Sequence, residues 1–196
     1  LETRYRGNAQ VLMVRSPANL GFGRGMNAAL AELGSRGYAG PVLLVNNDAI
    51  VAPGMRDALL TRLATESTSV LMAPRIVHDG CEQGWMYYQP WLALVTRRPL
   101  PGSFAYLSGC CLFVNRPDNS RPLFDEIFFM YGEDVELSWR ITHQGGRLAL
   151  LDQVWLRHRG SAAAGRLVRH MNVLLCAHIG CWRENWRIMR FLRHSC

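Results

Sequence analysis

Pro41-Val42-Leu43-Leu44-Val45-Asn46-Asn47-Asp48 is the stretch whose reading decides the fold. A proline opens it, four apolar residues follow, and two asparagines and an aspartate close it. Such a run has no polar face, so it reads as a strand buried on both sides, the kind found in a parallel sheet. Upstream, Val11–Val14 reads as another short strand, ended by Ser16-Pro17. A glycine-rich turn, Asn19 to Gly25, comes next. Met26 to Leu33 then has the character of a helix that stops near Gly34 and Gly37. Downstream, Pro53-Gly54 starts a helix through about Ala64, and Val70–Ala73 reads as the next strand. Strand and helix alternate, which predicts an α/β domain with a largely parallel sheet.

Residues 78–107 break that rhythm. They carry Trp85, Tyr87, Tyr88, Trp91, Phe104 and Tyr106 among turn residues with no clear period. Such an excursion fits a substrate-contacting loop or a locally packed flap without chemistry. Regularity returns with a strand at Cys110–Val114 and a helix from about Glu133 to His143, stopped at Gly145-Gly146. Strands at Leu148–Leu151 and Val154–Leu156 follow.

Composition narrows the class. The 196 residues, 49% hydrophobic and 19% charged, suit one globular core and exclude disorder and coiled coil. No apolar run approaches the ~18–20 residues of a bilayer crossing. The opening Leu1–Arg6 lacks an apolar stretch, so no signal peptide is expected. All 22 basic residues are arginine. Residues 1–156 hold 14 arginines and 14 acids, whereas residues 157–196 hold 8 arginines against Glu184 alone. The whole excess of +7 therefore lies at the C-terminal end, where it favours an anionic surface. There Leu167, Met171, Leu174, Leu175, Ile179, Trp182, Trp186 and Met189 recur at helical spacing. Arg166, Arg169, Arg183, Arg187, Arg190 and Arg193 tend to lie off that stripe, with Gly180 as a break. This reads as a basic amphipathic tail, expected to dock peripherally on anionic membrane. Packing of the same stripe on the domain is the alternative. The six cysteines form no CxxC or zinc-type spacing, and adjacent Cys110-Cys111 in an apolar run read as buried thiols in a reducing cytoplasm.

Three places could carry chemistry. Asn46-Asn47-Asp48 lies just past a strand's carboxyl end, where open α/β sheets bind ligands, and a carboxylate there can hold a divalent cation. Asparagine and aspartate are equally ordinary turn residues. Glu133, Asp134 and Glu136 open a helix, where acids suit the dipole, yet an aspartate after Phe128–Gly132 can also face a pocket as general base. His158 follows the last strand; a lone histidine is commonly structural, but imidazole is a good metal ligand. A dinucleotide fingerprint at Gly21–Gly25 fails, because Met26 stands where a third glycine is needed.

In order, NLGFGRGMNAAL, VLLVNND, LSGCCLFV, FDEIFFMYGEDVELSWRI, GGRLALL and HRGS closely resemble bacterial family 2 glycosyltransferases, in particular the rhamnosyltransferase-like, non-processive enzymes of cell-surface polysaccharide assembly. The resemblance runs from about Val11 to Ser161. It implies a GT-A fold, Rossmann-like with a mixed, mainly parallel sheet flanked by helices, over residues 1–161, with the basic helical tail at 162–196. It also implies inverting transfer from a nucleotide-diphosphate sugar, such as dTDP-rhamnose, to a glycan or polyprenyl-linked acceptor. Asp134 matches the catalytic base. Asp48 matches the last acid of the metal motif, with Asn46 in place of its first, and His158 matches a histidine that completes the metal site, so Mg or Mn is the implied cofactor. Asn19, Gly21, Arg24, Asn27, Asn46, Asn47, Gly109 and Glu133 match positions around the nucleotide sugar.

Members of that family open with a strand–helix–strand unit that supplies the first sheet strands and much of the base pocket. Residue 1 falls after it, so an exposed sheet edge is expected in its place. The rival readings are an inactive remnant or binding module, and a basic-tailed nucleic-acid binder. The second lacks any recognised RNA or DNA motif, so no nucleic acid is expected. The expected location is the cytoplasmic face of the membrane, and an oligomer is compatible with it.

Overall fold

The computed structural model describes residues 5–65, 70–78, 81–115 and 121–158. Helix α1 (Gly21–Ser35) precedes β1 (Val42–Val45), β2 (Ala49–Val51) and helix α2 (Met55–Thr65). Then come β3 (Val70–His78), β4 (Cys81–Gln83), β5 (Met86–Gln89), β6 (Leu94–Thr96), β7 (Phe104–Tyr106) and β8 (Cys111–Asn115). Helix α3 (Glu133–His143) and β9 (Arg147–His158) complete the order. The main sheet runs β1-β8-β3-β9-β2, with β4 added to β3, and a second sheet runs β6-β5-β7.

The α/β class holds, with a central sheet between helices. Its direction differs from the expectation. β3 and β9 pair in parallel, while β1·β8, β8·β3, β9·β2 and β3·β4 are antiparallel. β8, which returns from the aromatic excursion and inserts in reverse between β1 and β3, accounts for two of these pairings, and the β3–β4 hairpin and the β2·β9 pairing add the others. Strand–helix alternation along the sequence does not register that insertion.

Both faces of the sheet are buried, which accounts for the unbroken apolar runs. On one face Met55 and Leu59 of α2 pack on Met72, Ile76, Cys111, Phe113, Ala149, Leu151 and Leu156. On the other, Leu30 of α1 and Leu137 of α3 pack on Leu44, Leu71, Ala73, Leu112 and Val114. Leu71/Met72 and Leu112/Phe113 show the period of two that sends neighbours to opposite faces. The excursion is a packed unit: Met86, Tyr88 and Tyr106 of the small sheet bury against Phe128, Val135 and Trp139.

Three further expectations are corrected. Val11–Val14 joins no ladder, and Met13 and Val14 are exposed. A short apolar run becomes a strand only where it pairs with a neighbouring edge, and Val11–Val14 pairs with none of the described strands. The glycine-rich stretch is not a turn before a helix but the first turn of α1 itself. The last two expected strands are one, β9, with an irregular register at Pro74/Arg75 of its partner β3. β1 has β8 on one side and is an edge of the sheet among the described residues, as expected. The tail, and Cys176, Cys181 and Cys196 with it, lies outside the described residues.

Candidate active site

Gly21 and Gly23 of α1 serve close approach. Gly21 has φ +76°, and a Cβ there would collide with the Phe129 carbonyl oxygen. That same oxygen accepts the Phe22 N–H at 3.0 Å, and Asn19 Oδ1 accepts the Gly21 N–H at 3.0 Å. A Cβ on Gly23 would lie 3.1 Å from Phe124 Cβ. Absence of side chains thus lets the start of α1 seat directly on the 123–133 segment.

Arg24 and Asn27 fasten the contact. Arg24 Nε donates to the Glu126 carbonyl at 2.9 Å. Asn27 is buried; its Oδ1 accepts the N–H groups of Leu123 and Phe124 at 2.8 and 3.0 Å, and its Nδ2 donates to the Phe124 carbonyl at 2.9 Å. Both residues therefore spend side-chain hydrogen bonds on holding this segment. Arg140 braces it from α3, donating to the Leu123 carbonyl at 2.6 Å while paired with buried Glu136 at 2.7 Å. Sequence reasoning passed over Glu136 and Arg140 as a pair, although their i, i+4 spacing on a helix signals it.

The segment delivers the carboxylate pair. Tyr131 and Gly132 both have positive φ, +66° and +94°. For a bulky aromatic that backbone is an outlier of the kind found at functional sites. It turns the chain so that Glu133 and Asp134 open α3 against the loop before β8. Asp134 Oδ2 accepts the Gly109 N–H at 2.8 Å, and Oδ1 accepts the Val135 N–H at 2.9 Å. Desolvation raises the Asp134 carboxyl above the ordinary carboxylate range despite these bonds. Glu133 is 6% exposed, and burial, with the Asp134 charge behind it, pushes it up to about 8. Its Oε2 has no hydrogen-bond partner among the described residues.

A second pair forms where β1 and β9 end. Asp48 Oδ1 lies 3.1 Å from His158 Nε2, and Ala49 pairs with His158 in the β2·β9 register. The Asp48 oxygen is buried and makes no hydrogen bond among the described residues. Two ligands at right angles on a cation with bonds of ~2.1 Å stand ~3 Å apart. The pair therefore fits a divalent cation. Among the described residues no third His, Cys, Asp or Glu joins it. Phosphate oxygens and water would fill the other positions.

Cys110 links the two pairs. Its thiol is pushed up to about 12, by burial first, with the Asp134 and Asp48 charges adding to it, so both carboxylates lie within electrostatic reach. Its carbonyl accepts the Asn46 N–H at 3.0 Å. Asn47, beside Asp48, is exposed. Cys110 and Cys111 are buried free thiols, as expected. A separate cavity of about 340 Å³ contains none of these residues; Arg75, Trp85, Tyr87 and Arg97 are among those lining it.

No family model matches the chain. It is similar to N-acetylglucosaminyl-diphospho-decaprenol L-rhamnosyltransferase from two strains of Mycobacterium tuberculosis. The identity is 29% over an alignment of 217 residues, covering 90% of this chain and 71% of the relative. That similarity, over nine-tenths of the chain, supports a rhamnosyltransferase-like glycosyltransferase family.

Proposed function

We propose that this chain transfers a sugar, with inversion, from a nucleotide-diphosphate donor such as dTDP-rhamnose to a polyprenyl-diphosphate-linked glycan at the cytoplasmic face of the membrane. The relative's acceptor supplies the acceptor class, and cell-surface polysaccharide assembly is its setting. The observation that carries the reading is the pairing Asp134–Gly109 and Asp48–His158, joined through the backbone of Gly109-Cys110, whose Cys110 carbonyl accepts the Asn46 N–H. A general base and a cation-holding pair are what glycosyl transfer separates in space.

Asp134 takes the proton from the acceptor hydroxyl as that oxygen forms its bond to the anomeric carbon. The bond from that carbon to the diphosphate breaks on the opposite face, and the electron pair leaves with the diphosphate. A raised carboxyl pKa makes Asp134 a stronger base than an ordinary aspartate. Gly109 N–H fixes one of its oxygens, and Glu133 lines the sugar side. Asp48 and His158 would hold Mg or Mn, which supplies positive charge for the departing diphosphate. Among the described residues no helix is long and apolar enough to cross a membrane.

Incubation with labelled dTDP-rhamnose and an N-acetylglucosaminyl-diphospho-polyprenol tests the reading, with product resolved by chromatography. Transfer that requires both substrates supports it. Donor binding in calorimetry without transfer to that acceptor identifies a binding module instead.

A further inference from the structure

The β5–β6 hairpin ends in an apolar tip that faces solvent. Trp91 is 75% exposed and Leu92 68%, and Leu94 at the start of β6 is also exposed. A tryptophan and a leucine side by side in water are an unfavourable arrangement for a tip with no partner. The tip is nonetheless held in place. Gln89, itself buried, accepts the Trp91 N–H at 2.7 Å through Oε1 and donates to the Pro101 carbonyl at 2.5 Å through Nε2. Ala93 closes the turn with φ +50°. On the inner side, Tyr88 of β5 is fully buried and packs edge-on against Phe104 of β7. The hairpin is therefore a rigid arm on the main body, with Trp91 and Leu92 presented at its end.

Charge identifies the partner. Arg97 and Arg98 follow β6 directly, and both are exposed. β6 is three residues long, so at ~3.3 Å per residue the arginines stand roughly 10 Å behind the tip. The sequence holds no acid from Gln83 through Pro117. An apolar end carrying tryptophan, with arginines set back by that depth, matches a bilayer interface: rings at the acyl boundary and guanidinium groups at anionic headgroups. A protein partner would not require this ordering along one axis.

We infer that the β5–β6 hairpin tip, Pro90–Ala93, inserts into the interface of an anionic lipid bilayer, with Arg97 and Arg98 on the headgroups. The proposed function enters only as the reason a bilayer is within reach, since its acceptor is lipid-linked. Tyr87 and Arg97, from the two sides of the same hairpin, line the 340 Å³ cavity, which places a basic, aromatic-walled recess within a hairpin's length of the tip. This contact is distinct from the C-terminal tail.

The full chain is sedimented with vesicles of phosphatidylglycerol and phosphatidylcholine in equal parts, and with phosphatidylcholine alone. W91S/L92S is expected to partition at least ~10-fold less onto the mixed vesicles, because two large apolar side chains no longer leave water. R97Q/R98Q is expected to lose the preference for the mixed vesicles over phosphatidylcholine. Both variants alter exposed side chains, and circular dichroism identical to wild type verifies the fold. Brominated lipid should quench the emission of wild type more than that of W91F. Binding of W91S/L92S equal to wild type, or no wild-type binding to mixed vesicles at low salt, overturns the inference. So does a wild-type dimer that W91S/L92S abolishes, which makes the tip a protein contact. Wild type that binds vesicles through the tip but transfers no sugar defeats the proposed function alone. Transfer by W91S/L92S to vesicle-embedded acceptor at the wild-type rate, with unchanged binding, defeats the hairpin alone.

Discussion

Asp134 Oδ2 accepts the Gly109 backbone N–H at 2.8 Å, and a Cβ on Gly109 would stand 3.2 Å from Asp134 Cβ. The loop before β8 and the first turn of α3 therefore touch with no room for a side chain between them. The neighbour in question is the rigid stem of the carboxylate, not a flexible end. Gly109→Ala should displace Asp134 by a few tenths of an ångström and cut turnover by roughly tenfold, since misplacement by 1 Å can cost ~10²-fold. Donor affinity should hold. A steady-state comparison settles it, and wild-type kcat in the alanine variant would show that this contact does not position the base.

Asp134→Asn removes the base while keeping size and one acceptor oxygen. Transfer should fall by at least ~10²-fold, the lower range for general base catalysis. The amide cannot accept from both the Gly109 and Val135 N–H groups, so a modest loss of stability is expected as well. Measured calorimetrically, donor binding should stay close to wild type. Turnover near wild type would remove Asp134 from its assigned role.

Asn27→Ala tests the joint between α1 and the 123–126 segment. The substitution strands the buried N–H groups of Leu123 and Phe124, which Asn27 Oδ1 now accepts. Buried donors left unpaired cost ~1–3 kcal/mol each, so a loss of roughly 2–4 kcal/mol is expected in urea denaturation. A loss below about 0.5 kcal/mol would mean that water replaces the side chain there.

These residues also mark what the sequence could reveal. β1, β8, α2 and α3 were legible because apolar runs, proline and glycine stops act locally. The residue types at Asp48, Asp134 and His158 were legible for the same reason, as polar residues just past regular elements. Asn27 looked like a ligand residue, but its partners lie about a hundred positions away, and no local pattern shows that its hydrogen bonds are already made. The glycines at 21, 23 and 25 signalled a turn, whereas tertiary contact with Phe129 and Phe124 is what Gly21 and Gly23 permit. Strand direction was illegible, since β8 lies between β1 and β3 only by virtue of a long-range return through the small sheet, which no local pattern records.

Glu133 ties stability to pH. Its folded-state value, pushed up to about 8 from an ordinary 4.5, means that the folded chain holds more protons than the unfolded chain between those limits. Stability from this group is then fully present below about 4.5 and is lost as pH rises through about 8. Glu133→Gln carries no such charge and should flatten the decline. Asp134, also raised, leaves a residual slope of the same sign. Thermal unfolding followed across this range should show wild type and variant diverging as pH rises; parallel profiles would mean that Glu133 titrates normally.

The 3.1 Å approach of Asp48 Oδ1 to His158 Nε2 predicts shared possession of one divalent cation. Two protein ligands alone make a weak site, so affinity should depend on a nucleoside diphosphate that supplies further oxygens. Imidazole beside carboxylate favours Mn somewhat over Mg. Titration of Mn, followed by its electron spin resonance signal with the diphosphate present, should show one bound ion per chain. Asp48→Ala should abolish that binding, since it removes the only charged ligand of the pair. His158→Ala should weaken it and narrow the preference for Mn over Mg, because an all-oxygen shell then remains. Equal Mn affinity in wild type and both variants would assign the pair to a direct carboxylate–imidazole contact that closes the end of β9 and holds no metal.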